Sequence, residues 1–187
     1  MLKKERYNDE RAIKKGNSLM LKKVIEEAFP TVLAFTMSGM YSIADGIFVG
    51  KAAGDTGLAA INIAWPIPAL ITALGIGIGT GGSVLYSHYR GRGEQKVCEN
   101  LFELTMTLLI GTGILATILL SLVQKPFLEI LGAAGSVQME AIKYTAIIIA
   151  GSILQVAGTG IMPLLRNMNQ SLGAMLSMAA GFAVNIL

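Results

Sequence analysis

Of the 187 residues, 53% are apolar and only 14% charged, and the formal net charge is +3. A soluble chain of ordinary composition carries about 45–50% apolar and about 25% charged residues, so this sequence has more apolar surface than a soluble domain could hide. One cysteine, Cys98, excludes an intrachain disulfide; it is expected in a polar loop and suggests no metal-ligand cluster.

Residues 1–25 read as a basic tail, with Lys3, Lys4, Arg6, Arg11, Lys14, Lys15, Lys22 and Lys23 ahead of the first apolar run. The tail is too long and too charged for the n-region of a secretory signal, and the run after it is too long for an h-region. Glu5, Asp9 and Glu10 interrupt the basic residues and aromatic residues are sparse, so a nucleic-acid partner is not expected.

Five apolar runs follow, at about 28–50, 58–86, 101–123, 141–165 and 171–187. Crossing a hydrocarbon core of ~30 Å takes ~20 helical residues, and these runs are continuous and rich in Leu, Ile, Ala and Gly. A β-barrel would instead show strands of ~10 residues with alternating polarity. The expected fold is therefore all-α, a polytopic transmembrane helical bundle.

Arg90, Arg92 and Lys96 lie between the second and third runs and Arg166 between the fourth and fifth, the same side as the tail if every run crosses once. Only Lys51, Lys125 and Lys143 fall on the other side. An excess of Lys and Arg marks the cytoplasmic side, so the N-terminus is expected in the cytoplasm of a multi-pass inner-membrane protein.

Asp45 is the one acidic residue well inside an apolar run. An ionised carboxylate at the bilayer centre costs ~2.5–3.5 kcal/mol on insertion scales, so it is tolerated mainly against a wet cavity or a partner. Binding a proton or a cation removes that cost, which is the physical basis of a coupling site. Ser42, Tyr41, Ser38, Ala34 and Thr31 precede it at helical spacing and make a small, polar stripe suited to a bundle interior. The competing reading is an interfacial anchor, because Gly50 and Lys51 follow and the carboxyl lies only about 7 Å below the end of the run.

Asn185 sits fourteen residues into the fifth run and Asp45 fifteen residues past Pro30. Both helices point outward, so the two side chains are expected at similar depth. They either share one site or Asn185 only joins helices, with Ser177 and Gly181 on its face. The residues alone leave both readings open.

The second run carries Pro66 and Pro68, candidates for a kink or gate, and then GIGIGTGGS from Gly75 to Ser83. Gly77, Gly79 and Gly82 satisfy a dinucleotide-binding pattern, with Glu99 further on, but no strand–turn–helix unit surrounds them. Close helix packing is the expected use. Gln155 in the fourth run suits either a substrate cavity or a hydrogen bond between helices, and Met37, Met40, Met175 and Met178 suit an adaptable surface or gap filling. His88 is expected in a loop. Nothing pairs a nucleophile with a base, so no enzyme is expected.

Taken together the segments resemble the multidrug and toxic compound extrusion (MATE) family, in its bacterial branch. Carrying the resemblance are Pro30, YSIADGIFVG from Tyr41 to Gly50, LAAINIAWP from Leu58 to Pro66, GTGGSVLYSHYRGRGE from Gly79 to Glu94, and PLLRNMNQ followed by GFAVNIL. The resemblance implies two six-helix lobes, twelve helices in all, of which residues 26–187 supply about five spans of an incomplete first lobe. It implies efflux of small cationic or amphipathic drugs driven by entry of Na+ or H+, with no cofactor. In many members the N-lobe ion site includes an acidic residue on helix one, matched by Asp45, and an asparagine on helix five, matched by Asn185. A second aspartate common in the family falls past Leu187. The chain departs from the family at His88, often Gln, and at Asn169, often Gly.

Expected partners are the lipid bilayer, a drug-like small molecule and the remainder of the transporter, and the chain by itself is not expected to transport. Two other readings stand beside efflux: a flippase of lipid-linked oligosaccharides from the same superfamily, and a non-transporting truncated membrane module.

Overall fold

The computed structural model describes the backbone of residues 2–168 and 170–186 and the side chains of residues 20–181, apart from Lys23, Glu27, Ala34, Ser38, Tyr41, Ser42, Asp45, Ala52 and Asn169. Six helices account for nearly all of it: α1 (Leu2–Ala64), α2 (Pro66–Gly91), α3 (Gln95–Ile130), α4 (Gly135–Ala150), α5 (Ser152–Asn167) and α6 (Ser171–Ile186). Among the described residues there is no strand, and the all-α fold read from the apolar runs is the fold observed.

The helices form two compact units, residues 1–40 with 171–187 and residues 41–170. In the first unit α6 is a short apolar helix from Ser171, with Ala174 buried and Leu172 and Leu176 exposed. The second unit holds the core.

Helix boundaries within that unit follow its glycines and prolines. α1 is broken at Gly54, whose φ of 59° and ψ of −155° lie in a region that costs a side chain dearly and glycine little. The polar stretch around Lys51 and Asp55 is thus a kinked helix rather than an open loop. Pro66 and Pro68 lack the N–H groups that would complete the ladder from the preceding turn, and the chain passes from α1 to α2 at Trp65. Pro66 then opens α2, where a missing donor costs nothing. Taken across this joint, Ala53–Gly91 is a stretch of 39 residues long and apolar enough to cross a membrane.

α2 ends in a tight cap. Gly93 has φ 76°, and the N–H groups of Arg92 and Glu94 both donate to Tyr89 O at 3.1 Å. Gly at this position is the usual way to satisfy the last carbonyls of a helix. Because the turn needs so few residues, both neighbouring helices run past their apolar parts. His88 and Cys98, both expected in a loop, lie in α2 and α3, and Cys98 is only 3% exposed. α3 is the second long apolar helix, with 36 residues.

The run at 141–165 is not one straight helix. α4 and α5 meet at Gly151 with a bend of 59°, and a Gly/Ser pair, here Gly151–Ser152, is one of the recognised causes of a sharp kink. The hydroxyls of Ser152 and Thr117 on α3 lie 2.6 Å apart, and Ser152 Oγ also reaches Gly113 O at 3.4 Å. A hydroxyl and a backbone carbonyl of α3 therefore brace the bend.

α2, α3 and α5 pack along a seam of small residues. A Cβ on Gly79 would overlap the carbonyl of Gly160, and one on Gly75 would lie 2.7 Å from Val156 O. Gly160 in turn receives the side chain of Leu109, and Gly113 faces the backbone of Ile153. Ile67, Ile71, Leu109, Val156 and Ile149 fill the buried core around the seam. Helices in lipid gain little from the hydrophobic effect between themselves, so close backbone approach and dispersion contacts hold them together.

Gly77 faces open space on the same helix. Gly79→Ala should therefore lower unfolding stability by about 1–3 kcal/mol, the usual cost of overpacking, while Gly77→Ala should stay within about 0.5 kcal/mol of the parent. Denaturant titration in detergent micelles followed by circular dichroism measures both; equal effects would contradict the seam.

Candidate functional site

Asp45 lies on α1 and Asn185 on α6. Their side chains fall outside the described residues, as do those of Ser38, Tyr41 and Ser42. In that stripe only Thr31 has a described side chain, and it is half-buried; Thr36, whose Oγ1 donates to Val32 O at 2.9 Å, lies on the opposite face of the helix. A back-bonded threonine hides its own hydroxyl proton, which makes it tolerable in an apolar setting.

Of the remaining candidates, Pro66 and Pro68 are half-buried at the joint between α1 and α2. Gln155 lies in the seam, where its Nε2 donates to Thr72 Oγ1 on α2 at 3.0 Å. Thr159 Oγ1, one turn along α5, donates to the Gln155 carbonyl at 2.7 Å. Gln155 is thus a bridge between helices, the second of the two uses its sequence position suggested. Its partner, Thr72, could not be singled out from spacing, because nothing in one strip of sequence says which turn of another helix will face it.

Four further cross-helix bonds were not anticipated. Gln124 Nε2 on α3 donates to Ile142 O at 2.8 Å and to Thr145 Oγ1 at 2.7 Å, both on α4. Asn167 Nδ2 donates to Ser83 O at 3.2 Å, and Arg90 reaches the Asn167 carbonyl at 3.4 Å, fastening α5 to the end of α2. The signal available was residue type alone: a lone Gln or Asn near the end of an apolar run. Among the described residues no buried side-chain nitrogen or oxygen lacks a partner. An unpaired polar group away from water costs several kcal/mol, and these pairs avoid that cost.

Among the described residues no cluster of three or more His, Cys, Asp or Glu side chains could hold a metal ion.

The model of one family, MatE, matches residues 30–187. The chain belongs to the MatE family. Solved MATE transporters share its fold. The crystal structure of a mutant MATE superposes with a TM-score of 0.81 at 26% identity. An outward-facing multidrug resistance MATE family transporter of the MOP superfamily gives 0.77 at 25%. A MOP superfamily transporter from Pyrococcus furiosus, described as having a binding pocket of reverse polarity that suggests a different function, also gives 0.77 at 25%. Each match covers 87% of this chain and 36% of the transporter, so the MatE chain spans about a third of their length. Comparison with curated proteins gives no match. Family membership makes this MatE chain a membrane protein with apolar helices, from a family of transporters rather than enzymes.

The Gln155–Thr72 bridge supplies a direct test. A double-mutant cycle with Gln155→Leu and Thr72→Val, read by unfolding in micelles, should return a coupling energy of about 0.6 kcal/mol and at most about 1.7 kcal/mol, the span measured for such bonds in lipid. A coupling of zero would remove the bridge from the forces holding α2 to α5.

Proposed function

We propose that the chain forms most of the N-terminal lobe of a bacterial MATE exporter, seated in the inner membrane with its N-terminus in the cytoplasm. The complete transporter moves small cationic or amphipathic drug-like molecules outward in exchange for Na+ or H+. The observation that carries this reading is the family match over residues 30–187, a stretch that includes the single carboxyl residue placed well inside an apolar run, Asp45. The twelve-to-three division of Lys and Arg between the two sides supports the orientation.

In this reading Asp45 is the coupling group. An ionised carboxylate in a low-dielectric setting is costly, and a proton or a cation discharges it. Occupancy thereby shifts the balance between two arrangements of the lobes by as much as the ion's affinity differs between them. Asn185 supplies a neutral oxygen to the same ion, and Tyr41, Ser42 and Ser38 line the wet face of α1. Pro66 and Pro68 give α1 and α2 a joint at which the lobe flexes. The lobe acts together with a second lobe and the bilayer, needs no cofactor, and rocks against its counterpart as paired-lobe transporters do. Drug export is favoured over flipping of lipid-linked oligosaccharides because no Lys or Arg lies deep in the apolar runs.

In the complete transporter Asp45→Asn should reach the membrane at the parent level yet reduce gradient-dependent efflux of a cationic dye to that of cells lacking the protein. Dye efflux from energised cells, with and without an ionophore, measures this. Undiminished, gradient-dependent efflux by the variant would reject the coupling role.

A further inference from the structure

The end of the second unit that carries the Arg92–Glu94 turn holds a cavity of about 300 Å³. It lies between α2, α3 and the residue that caps α5, and is lined by Tyr86, Gln95, Cys98, Glu99, Phe102, Glu103 and Met168. The α3 contribution, at 95, 98, 99, 102 and 103, is one continuous helical face. Cys98 forms the floor, with its Sγ 3.7 Å from Tyr86 O. Tyr86, Phe102 and Met168 are half-buried walls, while Glu99 and Glu103 stand exposed at the rim.

The two carboxylates are one helical turn apart, and neither side chain has a hydrogen bond or ion pair among the described residues. Two of the nearby cations are engaged elsewhere, and a third, Lys96, has no ion pair among the described residues. Arg92 pairs with Glu94 at 3.0 Å and lies over the Tyr89 ring, Arg90 reaches Asn167 O, and Lys96 makes no ion pair with either glutamate. Like charges at this spacing oppose helix formation, so a positive charge between them stabilises the site from both sides. Aromatic faces add a second attraction for a cation, through the ring quadrupole. A methionine completes a wall that adapts to varied apolar shapes. The volume is at the lower end of small-molecule sites and suits a ligand with one aromatic ring.

The geometry points to a binding site for small aromatic ammonium compounds in this cavity, separate from Asp45. The positive group sits between Glu99 and Glu103, and the ring enters between Phe102, Tyr86 and Met168. The inference goes beyond the coupling role proposed for Asp45 and holds whether or not Asp45 couples transport.

The test uses the 187-residue chain in phosphatidylcholine nanodiscs, titrated with para-trifluoromethylbenzyltrimethylammonium and followed by fluorine NMR, with empty nanodiscs subtracted. Saturable binding is expected, at least about tenfold weaker in the Glu99→Gln/Glu103→Gln variant. Phe102→Leu, which keeps the wall apolar, should weaken it about threefold through loss of the ring. Neutral para-trifluoromethylbenzyl alcohol should not compete. Circular dichroism of each variant checks that the helices are intact. Undiminished binding by the double glutamine variant, or competition by the neutral alcohol at the same concentration, would overturn the assignment.

Discussion

Close backbone approach between α2 and α5 is the constraint on which the rest of the second unit depends. Where Gly79 faces Gly160 and Gly75 faces Val156, there is no room for a side chain on α2. With the backbones that near, Leu109 of α3 can seat itself on Gly160, and the three helices share one buried line. The same proximity brings Gln155 within reach of Thr72 and Asn167 within reach of Ser83 O. In water such polar pairs would compete with solvent, whereas in lipid they are what remains to specify one register out of several.

Much of this could be read from residue types. The apolar runs foretold helices, and the glycine run from Gly75 foretold close packing. What spacing could not tell was which glycines would face a partner: Gly75, Gly79 and Gly82 do, while Gly77 and Gly81 face open space. That choice depends on how α2 is rotated, and rotation is settled by α3 and α5 together. The prolines announced the joint at Trp65 because a missing N–H acts locally. The bend at Gly151 went unforeseen because hydropathy stays high straight through it, although the Gly/Ser pair was there to be seen.

For the proposed ion site the position is different. Asp45 and Asn185 stood out because a carboxyl and an amide are conspicuous among apolar residues, and depth could be counted from 1.5 Å per residue. Their backbones are helical, and their side chains lie outside the described residues. Family membership supports the transporter class, while the role of each residue rests on the chemistry of a carboxyl group in a poorly polar medium. In the sequence Glu99 stands out only as the acidic residue after the dinucleotide-like glycines, and Glu103 does not stand out at all. Phe102 shares their helix, but Tyr86 of α2 and Met168 at the cap of α5 converge on them only in three dimensions.

The glycine notches also bear on how this part of the protein can move. A helix keyed to its neighbours by Leu109 in Gly160 and by Ile153 against Gly113 cannot slide a fraction of a turn without driving side chain into backbone. Interlocked parts of this kind turn as a single block or stay put. Displacement is therefore absorbed at flexible places such as Gly54, whose backbone already sits where other residues resist going.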